Sequence, residues 1–190
     1  VIHFNNSQEE ALELCELLNN KRKESCSVYQ SNLTKAPEIN EFLDKIKSNN
    51  KNLEILINNA SSFYPTPIES ADLENWQDLS FTNLIAPFLL IQGLKDTLKN
   101  NNGCIINVSD AIARKGIKDF SLYASAKSGL EALTKSFAKE LSPEIRVNAV
   151  APGAILWPEL DNSDSDDRDD ALAAIPLGRT GTPEDIASAA

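Results

Sequence analysis

Cys104-Ile105-Ile106-Asn107-Val108 leads through Ser109-Asp110 into a helical pattern from about Phe120 to Leu141, and then into Ile145-Arg146-Val147-Asn148-Ala149-Val150. The two short runs read as strands, and the segment between them has helical periodicity. Strands joined through a helix need a crossover, so they lie parallel. The same alternation extends upstream. Val1–Phe4 reads as the end of a strand, Ser27-Val28-Tyr29-Gln30 as a second, and Leu53-Glu54-Ile55-Leu56-Ile57-Asn58 as a mostly buried third. Helical stripes fall between them: Ala11, Leu14, Cys15 and Leu18, then Ile39, Phe42, Leu43 and Ile46. Ser7-Gln8-Glu9-Glu10 reads as a capping box ahead of the first. A long helical region covers about Asp72 to Leu98, and a last helix starts at Thr182-Pro183-Glu184-Asp185. The pattern is that of a single α/β domain, a doubly wound parallel sheet covered by helices on both faces.

Composition narrows the function classes. The chain has 190 residues, 42% of them hydrophobic, and a net charge of −10. That suits one soluble domain and argues against nucleic-acid binding. The apolar run Ile85–Ile91 holds a proline and falls far short of a membrane span, and the N-terminus lacks the features of a signal peptide. A cytoplasmic protein is expected. Three scattered cysteines and one histidine, His3, give no metal-ligand spacing and no Ser-His-Asp triad. Glu159 to Asp170 holds seven acids and one arginine, the pattern of a solvated loop. All seven glycines lie at or after Gly93, so the first 92 residues hold no glycine-rich phosphate loop.

In open parallel sheets ligands bind at the carboxyl ends of the strands. There this sequence places His3 to Ser7, Asn58-Asn59-Ala60-Ser61-Ser62-Phe63, Ser109-Asp110 and Ala151-Pro152-Gly153. The helix after the fourth strand carries Tyr123 and Lys127 four residues apart, on one face. An ammonium beside a phenol favours phenolate, so Tyr123 is expected to have a lowered pKa and to act as a general acid.

Asn58-Asn59-Ala60, Asn83, Tyr123-x-x-x-Lys127 and Pro152-Gly153 after Arg146-Val147-Asn148 stand in the order of the short-chain dehydrogenase/reductases, which the chain resembles along essentially its whole length. The resemblance implies a Rossmann-type sheet. It implies that Tyr123 is the general acid/base, that Lys127 lowers its pKa and binds the nicotinamide ribose, and that Asn83 holds a water in a proton relay. Pro87, four residues on, has no N–H to give the Asn83 carbonyl. Asp110 stands where the wider family usually has serine, and the run Asn58 to Pro67 lacks the usual glycine after Ala60. Both features resemble the pteridine reductase branch. That branch implies Phe63 stacking on a pterin, with Ser61, Asp110, Tyr123 and Leu156 around the substrate. A lid would span 156–174.

The expected cofactor is NADPH. His3, Asn6, Ser7, Asn32, Leu33, Asn59, Ala60, Ser61, Ser109, Tyr123, Lys127, Pro152 and Gly153 stand where the resemblance puts its contacts, and no acid precedes Glu9 to repel a 2′-phosphate. The resulting expectation is an NADPH-dependent reductase of a dihydropterin or dihydrofolate, a homotetramer by family resemblance, with no metal, nucleic-acid or membrane partner. The alternatives are a carbonyl reductase of the 3-oxoacyl thioester type and a catalytically inert binding or assembly protein. In the family frame Val1 falls at the second strand and the last strand lies beyond Ala190. These 190 residues alone are therefore expected to bind NADPH poorly.

Overall fold

A computed structural model describes residues 1–50, 52–155, 172–173 and 175–190. The strands are β1 (Ile2–Phe4), β2 (Val28–Gln30), β3 (Ile55–Asn58), β4 (Cys104–Val108) and β5 (Arg146–Val150). The helices are α1 (Gln8–Lys21), α2 (Ala36–Asn49), α3 (Leu73–Ser80), α4 (Ala86–Lys99), α5 (Ile112–Lys115), α6 (Ser121–Glu140) and α7 (Pro183–Ala189). The alternation expected from the sequence holds, and every pairing among the described residues is parallel, as in a Rossmann-type α/β fold.

The sheet differs from the expectation in one respect. The described strands form two sheets, β1-β2 and β3-β4-β5, rather than one. Between the edges of β1 and β3 lies a cavity of about 650 Å³, lined by Ile2, Ile55, Ile57, Phe42, Pro87, Leu90 and Leu94 among others. Strand β3 is consequently less buried than its apolar run suggests: Ile55 is 56% and Ile57 51% exposed. Periodicity reports which residues are apolar, whereas burial depends on what lies alongside the strand.

The main core lies between α2, α4 and the β4-β5 pair. Ile39, Leu43 and Ile46 of α2 meet Leu90, Ile91, Leu94 and Leu98 of α4, with Ile105 and Val147 beneath. Each such side chain contributes about 1.5–3 kcal/mol by leaving water. The helical region from Asp72 is one path in three parts. Asp72 caps α3 in a reciprocal box with Asn75, and a π-helical turn over Phe81–Ile85 joins α3 to α4. The N–H of Ala86 reaches back five residues to the Phe81 carbonyl. Gly129 lets α6 settle on this turn, since a Cβ there would come within 2.9 Å of Leu84 Cδ2. Of the two caps expected from the sequence, one forms and one does not. Ser7 starts α1 but its side chain makes no capping bond, whereas Thr182 and Asp185 form the full box on α7.

Candidate active site

Helix α6 places its polar face against the carboxyl end of β4. Tyr123, Lys127, Glu131 and Thr134 recur at helical spacing, and all four are buried. Tyr123 is 4% exposed and donates its hydroxyl to Asp110 Oδ2 at 2.8 Å. Lys127, 2% exposed, donates Nζ to the Val108 carbonyl at 2.9 Å and stands 5.7 Å from the centre of the Tyr123 ring.

The electrostatics reverse one expectation. The Tyr123 phenol has its pKa raised, first by burial and then by the Asp110 carboxylate. The Lys127 ammonium does not win. A hydrogen-bonded carboxylate favours the protonated phenol at closer range than the cation disfavours it. Tyr123 is therefore a neutral phenol at ordinary pH, a state that can donate a proton. Burial pulls Lys127 down to about 8, with Asp110 opposing.

The loop after β3 reaches the same place. Ser61 lies in hydrogen-bonding reach of the Tyr123 phenol, which opposes the rise in its pKa, and donates to Asn83 Oδ1 at 2.6 Å. Asn83 is 1% exposed, and its amide donates to the Ser62 and Leu79 carbonyls, both at 2.9 Å. Its side chain thus ties the loop to the π turn. Phe63 stacks on Phe120 at 4.7 Å and meets the Tyr123 ring edge-on at 4.8 Å. In this structure Phe63 packs on an aromatic of its own chain, which the expectation of a ring stacked on substrate did not include.

Ser61, Phe63, Asn83, Ser109, Asp110, Tyr123 and Lys127 are thus gathered into one cluster. The Ser109 N–H donates to the Val150 carbonyl at 2.7 Å, and Ala111 N–H to the Pro152 carbonyl at 2.9 Å, which brings the turn after β5 alongside. A Cβ at Gly153 would meet nothing within 4 Å. His3, Leu33, Asn59 and Ala60 line the cavity between the sheets, and Ala60 adjoins Ser61 of the cluster. His3 Nε2 pairs with the Ser31 carbonyl at 2.8 Å. Asn32 Oδ1, expected among the cofactor contacts, accepts from both the Thr34 N–H and hydroxyl in a local turn. Asn6 and Ser7 are exposed between β1 and α1. Leu156 and nearly all of 156–174 lie outside the described residues.

Sequence reasoning did not single out Phe120, Glu131 or a buried polar chain under the site. In that chain Asn58 Nδ2 donates to Asn107 Oδ1 at 2.8 Å, and Asn107 Nδ2 to Thr134 Oγ1 at 2.9 Å. Glu131 was findable, because it stands four residues beyond Lys127 on the face that must be buried. Among the described residues no cluster of three metal-ligating side chains occurs, and no helix is long and apolar enough to cross a membrane.

Comparison with known proteins bears on this geometry. The family model described as enoyl-(acyl carrier protein) reductase matches residues 1–190. The chain is 35% identical over 161 residues to the 3-oxoacyl-(acyl-carrier-protein) reductase FabG of Thermotoga maritima, covering 84% of this chain and 65% of that protein. It is 37% identical over 154 residues to the protein of that name in Chlamydia pneumoniae, covering 80% and 60%. A third FabG, from Staphylococcus epidermidis, is 33% identical over 190 residues, covering 98% and 77%. The chain thus spans just under two thirds of the first two relatives. These names overturn the pteridine expectation and its pterin or folate partner. Asp110 and the Phe63 loop carried that reading, but the relatives matched along the chain are named as 3-oxoacyl reductases. The match over the whole chain, the parallel α/β fold and the Tyr123–Lys127 face together make this chain a member of the short-chain dehydrogenase/reductase family.

Proposed function

We propose that this chain carries the catalytic portion of an NADPH-dependent carbonyl reductase acting on a 3-oxoacyl thioester. The observation that carries it is the Tyr123 phenol, buried, kept protonated and hydrogen-bonded to Asp110 at 2.8 Å beside the Lys127 ammonium. The names of the relatives supply the substrate class.

The residues present fit a dinucleotide. At one end are the phenol and a buried ammonium. At the other the carboxyl end of the inter-sheet cavity gathers His3, Leu33, Asn59 and Ala60. Asn58 Oδ1, buried in that wall, is an acceptor without a partner among the described residues. When bound, NADPH supplies the hydride. Tyr123 passes its proton to the oxygen of the 3-oxo group as that carbon is reduced, so carbonyl plus hydride and proton gives the hydroxyl. A carboxylate can only accept, so Asp110 orients the phenol and does not donate to substrate oxygen while ionised. Lys127, charged below about 8, offsets the phenolate left behind. Ser61 and Asn83 connect Tyr123 to the π turn and form the start of a route for reprotonation.

The test is oxidation of NADPH by the full-length protein with acetoacetyl-CoA, in wild type and Tyr123→Phe. Wild type turns over, and the variant loses at least about a hundredfold in kcat. Absence of thioester-dependent oxidation in wild type refutes the reading.

A further inference from the structure

Four consecutive residues at the end of β4 are each gripped by a side chain of α6. Thr134 holds Asn107 at 2.9 Å, Lys127 holds the Val108 carbonyl at 2.9 Å, Glu131 holds the Ser109 hydroxyl at 3.3 Å, and Tyr123 holds Asp110 at 2.8 Å. Only Glu131 has no part in the reaction above or in the buried amide chain. A carboxylate on a buried helix face is costly unless it is paired.

Its partners bracket Asp110. Glu131 Oε1 accepts from Ser109, the residue before it, and Oε2 accepts from Arg114 Nε at 3.2 Å. Arg114 belongs to α5, whose first turn closes when Ala113 N–H meets the Asp110 carbonyl at 3.0 Å. The guanidinium end of this pair is exposed while the carboxylate is nearly buried. The chain on both sides of Asp110 is therefore moored to one carboxylate of the helix that carries Tyr123 and Lys127, while Ser128 of that helix ties the turn once more by donating to the Ala113 carbonyl at 2.7 Å.

We infer that Glu131 is a positioning residue: by fixing the Ser109–Arg114 turn against α6, it holds the Asp110 carboxylate in line with the Tyr123 hydroxyl. This rests on the reading of Tyr123 as proton donor. Glu131 touches neither Tyr123 nor the reacting atoms and acts only through the turn. Loss of that alignment costs rate rather than affinity, because orientation at the reacting centre counts mainly in the transition state.

A double-mutant cycle in the full-length protein separates positioning from general support. Glu131→Ala lowers kcat with acetoacetyl-CoA about tenfold and leaves KM for NADPH within about twofold. Glu131→Gln, which still accepts from Ser109, recovers most of the rate. In an Asp110→Ser background the Glu131→Ala change costs less than about twofold, because the carboxylate it served is gone. Equal losses in both backgrounds, or full activity in Glu131→Ala, overturn the inference. Thermal unfolding of the same four proteins gives a readout free of substrate. The inference requires non-additive shifts from Asp110→Ser and Glu131→Ala, and additive shifts overturn it. A wild type inert toward thioesters would refute the proposed function, while this unfolding cycle would still decide the role of Glu131.

Discussion

Removing the amide of Asn107 tests how the site is built from below. Asn107 has no exposed surface, accepts from Asn58 Nδ2 at 2.8 Å and donates to Thr134 Oγ1 at 2.9 Å. Asn107→Ala deletes both bonds. Thr134 keeps a partner, since its hydroxyl donates to the Leu130 carbonyl at 2.7 Å. Asn58 does not fare as well. Its Oδ1 already lacks a partner among the described residues, so the buried amide loses the bond it has. An orphaned buried donor costs about 1–3 kcal/mol, and a second lost bond adds about 1 kcal/mol. The sum is about 3 kcal/mol, which lowers Tm by about 6–12 °C for a chain of this size. Thr134→Val removes the acceptor of the Asn107 amide, leaves that buried donor unpaired and costs about 1–3 kcal/mol. The double variant falls short of the sum because the two changes share a bond. Thermal unfolding followed by circular dichroism reads all three proteins. A drop in Tm below about 2 °C for Asn107→Ala would refute the claim that this chain braces β3, β4 and α6 together.

Two further outcomes follow from the same geometry. Lys127 has a folded pKa of about 8 against an ordinary 10.5, so between these values the unfolded chain binds a proton that the folded chain does not. Stability therefore climbs as pH rises from about 8 towards 10, and Lys127→Met removes that part of the slope. Urea midpoints at several pH values, compared as wild type minus variant, check it; a flat difference refutes it. In the 190-residue chain Ile57 lies at the open edge of β3 and is half exposed, so Ile57→Lys changes the stability of that chain by less than about 0.5 kcal/mol. It also reduces self-association of the 190-residue chain in concentrated solution, as light scattering measures, because a charge blunts its unpaired edge. A loss of several degrees in Tm would show that Ile57 packs against more than the cavity.

Much of this fold was legible because its signals are local. Strand β4, helix α6 and strand β5 follow from apolar runs and helical spacing, and the cap on α7 follows from Thr182, whereas the box read at Ser7 does not form. The π turn was not legible, since Phe81–Ile85 has the composition of the α-helix around it. The exposure of Ile55 and Ile57 was hidden for a different reason: a neighbouring strand is a non-local fact. The cluster at Tyr123 was readable from motif order, but its electrostatics were not. Spacing alone brings Lys127 to mind, whereas burial and a carboxylate at 2.8 Å decide the proton affinity of the phenol. Asp110 and Phe63 suggested a substrate that the relatives contradict. Two side chains beside a reacting centre constrain orientation more tightly than they constrain the molecule being reduced.

The four grips of α6 on β4 also make the helix a measuring rod. Tyr123, Lys127, Glu131 and Thr134 meet residues 110, 108, 109 and 107 only because they keep phase with the helix turn. Inserting one residue between any two of them turns everything beyond it by about 100°. The downstream grips would then fail together, whatever residue was inserted. Outward positions such as Ala132 and Lys135 can change in kind, but the count between Tyr123 and Thr134 cannot change at all. In this stretch length is under stricter constraint than chemistry, and a deletion scan would see a wall where a substitution scan sees gaps.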